Sequence, residues 1–242
     1  MSRRPAIPLA VAATLLVATQ ARAQDVTQTE SPQHFAAEIK LGPYQPEVDR
    51  EAGLAGSPYQ DVFGSKSTFH FLAEFDWQFA RVPGVSFGLG VMAGFFGETA
   101  KALDPETGER SGDRTALWVL PGHLDAVIRV DVLPDYTRVP LVPYFKIGVS
   151  YYIWWILDGD GLARHEGEAG YGGTWGWNFS AGLMLQLDFF EPSAASNFDH
   201  EVGVNHSYLS ADFFYADVDN FGRGNKLRLS DKTWTVGLAI EF

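Results

Sequence analysis

Eight stretches of this chain alternate strictly between apolar and polar residues. In residues 68–81, apolar side chains occupy every second position from Phe69 to Phe79, and Glu74 and Asp76 lie between them. Successive side chains of a β-strand point to opposite faces, so this period of two predicts a strand with one apolar and one polar face. The eight runs span residues 34–42, 68–81, 85–97, 124–132, 141–156, 174–190, 207–218 and 232–242.

The length and number of these runs favour a strand bundle that crosses a membrane. Strands of soluble proteins average about 5–6 residues, whereas a tilted strand that crosses a bilayer needs about 9–11. Longer polar connections, such as residues 43–67, alternate with short ones, such as residues 82–84; the exception is residues 191–205, where Pro192 suits the first turn of a helix. We therefore predict an all-β fold, an eight-stranded antiparallel transmembrane β-barrel. Residues 115–120 extend its fourth strand, and Pro121-Gly122 predicts a bulge there.

Alternation alone does not say which face meets which solvent. A soluble barrel of the lipocalin type encloses its apolar face, and a membrane barrel exposes it to lipid. The aromatic residues near the run ends favour the membrane barrel, because rings concentrate where a membrane meets water. We predict that these membrane-interface aromatics are Trp77, Phe79, Trp118, Trp155, Trp175, Trp177, Phe189, Trp234 and Phe242.

The polar face of the runs would then line a narrow interior. Its charged positions form the predicted lumen network: Glu38, Lys40, Glu74, Asp76, Asp125, Arg129, Asp131, Lys146, Asp188, Asp212 and Glu241. An eight-stranded barrel is just wide enough for its own side chains, so we expect ion pairs to fill most of it. Because acids outnumber bases, we expect a hydrated core that favours cations and has no wide pore.

The N-terminus has the order of a secretory signal peptide. Arg3 and Arg4 precede a short apolar stretch, and small residues at 21–23 suit cleavage after Ala23. We predict a signal peptide at residues 1–23, a periplasmic tail at residues 24–33 and the barrel at residues 34–242. The absence of cysteine excludes a lipid anchor on cysteine, disulfides and thiol catalysis.

The charge of the chain limits its partners. The formal net charge is −12, and removal of the three arginines in residues 1–23 makes it −15. Nucleic-acid binding requires clustered Lys and Arg, so we predict no nucleic-acid partner.

These runs, with the terminal Phe242, resemble the small outer-membrane β-barrels of Gram-negative bacteria, of the OmpA and OmpW type. More narrowly, residues 141–155 and 208–242 resemble uncharacterised outer-membrane barrels of myxobacteria. The resemblance implies a location in the bacterial outer membrane. It also implies three partners: the membrane lipid, lipopolysaccharide and the insertion machinery that reads a C-terminal strand ending in Phe. It implies no loop partner and no site residues.

The sequence gives little support for catalysis. His206 and Ser207 are adjacent, so on a strand they would point to opposite faces, which separates a nucleophile from its base. The glycines of residues 88–94 lack the spacing and the strand–helix context of a nucleotide loop. We predict no catalytic residues and no cofactor.

Acidic loop segments are the only candidates for a metal site. Asp158 and Asp160 lie in one loop, and Asp217 and Asp219 in another, but neither pair completes a calcium loop and both suit ordinary turns. We predict no metal.

Three functions remain open from the sequence. The chain would be a non-enzymatic envelope barrel that stabilises the membrane or presents its loops, a minor channel for small or apolar solutes, or a lipid-modifying enzyme. The first is our leading hypothesis, because no catalytic triad is present.

Overall fold

The structure is a computed structural model, which describes residues 33–51, 53–103, 107–137, 139–159, 161–165, 168–190, 203–224 and 226–242. The predicted signal peptide and, apart from Gln33, the predicted tail lie outside these residues. So do Pro192, with most of its connection, and Asp160.

Eight long strands form the fold, and each follows one of the alternating runs. They are β1 (Phe35–Tyr44), β2 (Thr68–Val82), β3 (Val85–Leu103), β4 (Arg110–Val130), β5 (Leu141–Asp158), β6 (Tyr171–Gln186), β7 (His206–Asp217) and β8 (Asp231–Glu241). Each strand pairs antiparallel with its neighbours in sequence, and β1 also pairs with β8, from Ala36 opposite Glu241 to Leu41 opposite Val236. The sheet therefore closes, and the predicted eight-stranded antiparallel barrel is confirmed.

The strands differ in length, and this makes the two ends of the barrel unlike. The terminal end carries Phe35, Phe242, the tight turn between β2 and β3, and helix α2 (Val132–Thr137). The terminal end also carries residues 187–205, which join the sixth long strand to the seventh. The loop end carries the remaining connections, including a short 3-10 helix (Val48–Arg50) and helix α1 (Pro58–Phe63). With 19, 21 and 18 residues, β3, β4 and β5 project beyond β1 and β8 at the loop end.

Two short strand pairs lie at this projecting end of the barrel. Residues 161–162 pair with the end of β5, and residues 164–165 pair with residues 168–169. Among the described residues, none of the helices is long and apolar enough to span a membrane.

The predicted bulge at Pro121-Gly122 is wrong. Gly122 and Val119 pair with Ala93 and Phe96 in one unshifted register. Proline cannot donate a hydrogen bond to the ladder. Its ring fits here because Gly94 on the neighbouring strand has no side chain: a Cβ on Gly94 would lie only 3.3 Å from Pro121 Cγ. The register shifts instead between Gln78 and Ala80, and between Lys101 and Leu103.

The apolar face of every strand is outside, and the polar face is inside. On β1, Ile39 is 50% exposed, whereas Lys40 beside it is 3% exposed. A barrel that exposes its aliphatic and aromatic side chains and buries its charges has the inverse pattern of a soluble barrel. The fold is therefore that of a transmembrane β-barrel.

The loop-end half of the interior is apolar, which differs from the predicted polar core. Inward residues of six strands meet residues of two loops there, and we call this cluster the loop-end plug. It consists of Tyr44, Val48, Tyr59, Leu72, Met92, Phe96, Leu117, Val119, Tyr152, Phe214, Ala216, Val218 and Leu229. Two loop residues hold it in place: the Tyr44 hydroxyl donates to the Leu229 carbonyl at 2.9 Å, and the Tyr59 hydroxyl donates to Glu98. The loops thus close the mouth of the barrel.

Candidate functional site

The centre of the barrel holds a network of buried charges. Inward positions of β1, β2, β4, β5, β7 and β8 supply its members, because each strand places alternate residues in the lumen. Six carboxylates and three bases are each at most 5% exposed: Glu38, Glu74, Asp76, Asp125, Asp212, Glu241, Lys40, Arg129 and Lys146. The structure therefore brings together nine of the eleven charged residues in the predicted lumen network.

Two lysines on opposite sides of the lumen share the same acids. Lys40 Nζ lies 2.8 Å from Asp212 Oδ2 and 3.3 Å from Glu38 Oε2. Lys146 Nζ lies 2.7 Å from Glu74 Oε2 and 3.1 Å from the same Glu38 oxygen. Buried charges are tolerated when they are paired, so removal of either lysine would leave acids on other strands without a cation. The network ties β1 and β2 to β5 and β7 across the barrel.

A second set of contacts holds the C-terminal strand. Arg129 Nη2 donates to Asp76 Oδ2 at 2.9 Å, and its Nη1 lies 3.8 Å from Glu241 Oε1. Glu241 also accepts hydrogen bonds from the Tyr208 hydroxyl at 2.7 Å and from Arg81 Nη2 at 3.2 Å. The penultimate residue of the chain is thus hydrogen-bonded to side chains of β2 and β7 and ion-paired with a side chain of β4.

Asp125 belongs to a separate polar chain that leads toward the plug. Asn178 Nδ2 donates to Asp125 Oδ1 at 2.8 Å, and Ser150 donates to the amide oxygen of Asn178 at 2.8 Å. His123 Nδ1 lies 3.0 Å from Ser150 Oγ, and His123 Nε2 lies 3.4 Å from the Tyr152 hydroxyl. This chain joins the charged centre to a residue of the loop-end plug.

The sequence interpretation missed the uncharged partners of the network. Asp212 accepts hydrogen bonds from Tyr144 and, at 2.6 Å, from Thr235. Like Asn178, these residues lie at inward positions of their strands, so the alternation itself carried the signal. Their hydrogen bonds offset part of the cost of burying carboxylates.

Asp131 and Asp188 lie apart from the network, beyond the ends of β4 and β6. Asp131 accepts a hydrogen bond from the Ser86 hydroxyl at 3.0 Å. Burial, together with the charge of Glu241, raises the pKa of Asp131. The alternating sequence pattern assigned both aspartates to the inward face. This pattern continues past the ends of the strands, so it does not show where the lumen ends.

Asp188 fastens the terminal end of β7. One carboxylate oxygen lies 2.7 Å from His206 Nδ1, and the other accepts the Ser207 hydroxyl at 2.9 Å. Burial alone would raise the pKa of Asp188, but the hydrogen bonds from His206, Ser207 and Gln186 outweigh it and hold the pKa below its usual value. The carboxylate stands between the histidine and the serine, so the Ser207 hydroxyl donates to Asp188 and not to the imidazole of His206.

We expect Asp188→Asn to lower the free energy of unfolding by about 1–2 kcal/mol at neutral pH, because hydrogen bonds to a charged group are lost. A depressed native pKa stabilises the fold above the unfolded-state pKa, and this contribution disappears as the pH falls through the native value. Urea unfolding in lipid vesicles should therefore show a wild-type advantage that shrinks below about pH 4. The exposed Asp135→Asn is the control; equal stability of Asp188→Asn and wild type at neutral pH would refute the expectation.

The predicted interface aromatics form two bands on the outer wall. Trp77, Phe79, Phe189 and Phe242 lie toward the terminal end, where the ring of Phe242 is 6.1 Å from that of Phe35. The other five lie toward the loop end; among them Trp118 and Trp155 are direct cross-strand partners. Trp118 and Trp155 are partly buried, and Trp175, Trp177 and Trp234 are exposed.

The acidic loop segment that contains Asp217 and Asp219 is occupied by an arginine of the same loop. Arg228 Nη2 lies 3.1 Å from Asp217 Oδ1, and Arg228 Nη1 lies 3.3 Å from Asp219 Oδ2. In the part of the chain that the structure describes, no group of three or more His, Cys, Asp and Glu side chains is arranged to hold a metal ion.

The chain is similar to the outer-membrane protein OprG from Pseudomonas aeruginosa, with a TM-score of 0.52 and 12% identity over 88% of this chain and 97% of that one. It also matches Ail of Yersinia pestis, with a TM-score of 0.44, 12% identity and coverage of 88% and 100%. Neisserial surface protein A matches with a TM-score of 0.42 and 11% identity, over 88% of this chain and 98% of that one. No protein-family model and no curated protein sequence matches the chain.

Proposed function

We propose that this chain is a non-enzymatic β-barrel of the bacterial outer membrane, which stabilises the envelope or presents its loops at the cell surface. The exposed apolar wall and its two aromatic bands support placement in a bilayer. The tight turn between β2 and β3 lies at one end, and the connections at residues 45–67, 159–170 and 218–230 lie at the other, which supports a periplasmic terminal end and a loop end outside the cell. Residues 187–205 are the long connection on the periplasmic side in this placement. The sequence resemblance to small Gram-negative and myxobacterial barrels supports the same location.

The filled interior is the observation that carries this proposal. The charged network occupies the centre, and the loop-end plug occupies the half nearest the cell surface. Arg129, Lys146, Tyr152, Phe96 and Leu72 are each less than 2% exposed. A lumen filled in this way favours a structural or loop-presenting role over transport.

The partners follow from this placement. The outer wall would contact membrane lipid and lipopolysaccharide, and the insertion machinery would engage β8 before the sheet closes. The position of Asp188 between His206 and Ser207 supports the absence of a hydrolytic triad.

Conductance in planar lipid bilayers tests the filled interior. We expect at most a small current, and we expect any current to favour cations because acids outnumber bases in the network. Sizeable anion-selective conductance would contradict the proposal and favour the channel hypothesis.

Mass spectrometry of lipid A separates the remaining hypothesis. Cells with and without the protein should yield the same lipid A species. A species that appears only with the protein would contradict the non-enzymatic role and favour a lipid-modifying enzyme.

A further inference from the structure

The connection between β1 and β2 covers part of the barrel mouth. We call its described part, residues 45–51 and 53–67, the lid. The lid reaches into the loop-end plug through Tyr59, which is buried there. Within the lid, the Asp49 carboxylate accepts the backbone N–H groups of Tyr59 at 2.7 Å and of Gln60 at 2.9 Å. These two bonds join the 3-10 helix to α1, so the lid holds together as a unit.

The lid is attached to the barrel on two sides. On the side of β3 and β4, Arg110 donates to the backbone carbonyls of Val62 at 2.6 Å and of Asp61 at 3.0 Å. Arginine does not lose its proton in proteins, so this attachment does not depend on pH. On the side of β8, the Glu47 backbone N–H donates to the Ser230 carbonyl at 2.9 Å.

The attachment to β8 also includes an acid. Asp231 is the first residue of β8 and lies three residues nearer the loops than Trp234 of the loop-end aromatic band, which places it outside the membrane-spanning part. Its carboxylate accepts hydrogen bonds from the backbone N–H groups of Gln45 in the lid and of Lys232. Its Oδ2 atom is buried, and no group among the described residues donates a hydrogen bond to that atom. Because a charged oxygen without water or a donor is costly, this position favours the neutral acid.

The surroundings of Asp231 add to this preference. A cavity of about 400 Å³ separates it from part of the lid. The charged and titratable groups around Asp231 come from the lid, β1, β5 and β8: Glu47, Asp49, Arg50, Tyr59, Tyr44, Tyr152 and Lys232. The hydroxyls of Tyr44 and Tyr59 donate elsewhere, and Arg50 pairs with Glu47. Burial, with a smaller contribution from the charge of Glu47, raises the pKa of Asp231 to about 7.

We propose that a proton on Asp231 stabilises the lid in its closed position on β8, so that the lid loosens as the pH rises toward 8. An ionised Asp231 requires water at Oδ2, and water reaches this atom when the lid moves away from β8. In an open lid, the pKa of Asp231 returns to its ordinary value near 3.9. The advantage of the closed lid is therefore complete below about pH 4 and is lost as the pH rises through about 7. This response adds to the proposed envelope role and does not depend on it.

Hydrogen exchange of the whole protein in detergent, measured by mass spectrometry, tests the lid. Asp231→Asn keeps the size of the side chain and cannot ionise, so it stands for the protonated acid. At pH 8, we expect the lid amides to exchange about tenfold more slowly in Asp231→Asn than in wild type. At pH 5, the two proteins should exchange alike. Comparison at one pH removes the effect of pH on the exchange chemistry, and equal exchange in β1 and β2 reports an intact barrel.

Asp113→Asn, which removes an exposed loop-end acid of β4, is the matched control and should exchange as wild type at both pH values. Three results would overturn the proposal: equal lid exchange in Asp231→Asn and wild type at pH 8, equal slowing by Asp113→Asn, or the same difference at pH 5 as at pH 8. If Asp231→Asn does not fold, wild type alone decides. Its lid protection, corrected for the intrinsic exchange rate, should fall about tenfold from pH 5 to pH 8, and constant protection would refute the role of Asp231.

Discussion

Replacement of Lys146 by methionine is expected to lower the free energy of unfolding by about 3–5 kcal/mol, because it leaves buried carboxylates without their cation. Lys146 Nζ lies within 3.5 Å of oxygens of Glu38, Glu74 and Asp76, and all four side chains are at most 2% exposed. Methionine keeps most of the length and volume of lysine, so the loss reports charge more than packing. Reversible urea unfolding in lipid vesicles, followed by tryptophan fluorescence, measures it.

Two further variants make this result specific. Lys66→Met removes an exposed loop-end lysine and should change stability by less than about 0.5 kcal/mol. Adding Glu74→Gln to Lys146→Met removes one of the buried carboxylates that have lost their cation, and should restore part of the lost stability. If Lys146→Met alone does not fold, the double variant should still fold. If Lys146→Met were as stable as the Lys66→Met control, the ion pairs of the network would not hold the barrel together.

Replacement of Gly148 by alanine should cost about 1–3 kcal/mol or more, because the added methyl group meets the neighbouring strand. A Cβ at this inward position of β5 would lie 2.0 Å from the Leu124 carbonyl oxygen and 2.2 Å from Asp125 Oδ1. The first of these atoms belongs to the backbone, so β4 and β5 would have to move apart. The same urea unfolding experiment measures the cost.

Gly112→Ala provides the matched control for this glycine. Gly112 lies on β4, and a Cβ there would have no atom within 4 Å. We expect the free energy of unfolding of Gly112→Ala to stay within about 0.5 kcal/mol of the wild-type value. Equal stability of Gly148→Ala and Gly112→Ala would mean that the lumen has room to spare around Asp125.

The barrel itself was predictable from the alternation, because a closed sheet with one apolar face imposes a period of two on every strand. Lys40, Lys146 and Arg129 fall on the inward face for this reason, and proximity to several acids follows from the narrow lumen. The identity of the partners does not follow. Which acid meets Lys146 depends on the relative height of β1, β2 and β5, and alternation within one strand carries no information on height.

Height also explains two of the places where the sequence interpretation fell short. Asp131 and Asp188 have the inward parity but lie beyond the strand ends. Leu72, Met92 and Phe214 also have the inward parity, yet they gather at one level and form an apolar plug in place of a continuous polar core. Pairing registers between strands decide both outcomes, and these registers depend on contacts between residues far apart in the chain.

Tryptophan quenching by lipids with brominated acyl chains tests whether the apolar wall faces the membrane. Trp234 is 52% exposed on the outer face of β8. Trp154 of β5 points inward instead and packs against the loop-end plug. In vesicles containing single-tryptophan versions of the protein, we expect strong quenching of Trp234 and little quenching of Trp154. Stronger quenching of Trp154 than of Trp234, or a wild-type protein that stays folded and monodisperse in buffer without lipid or detergent, would contradict the assignment of the outer wall to lipid.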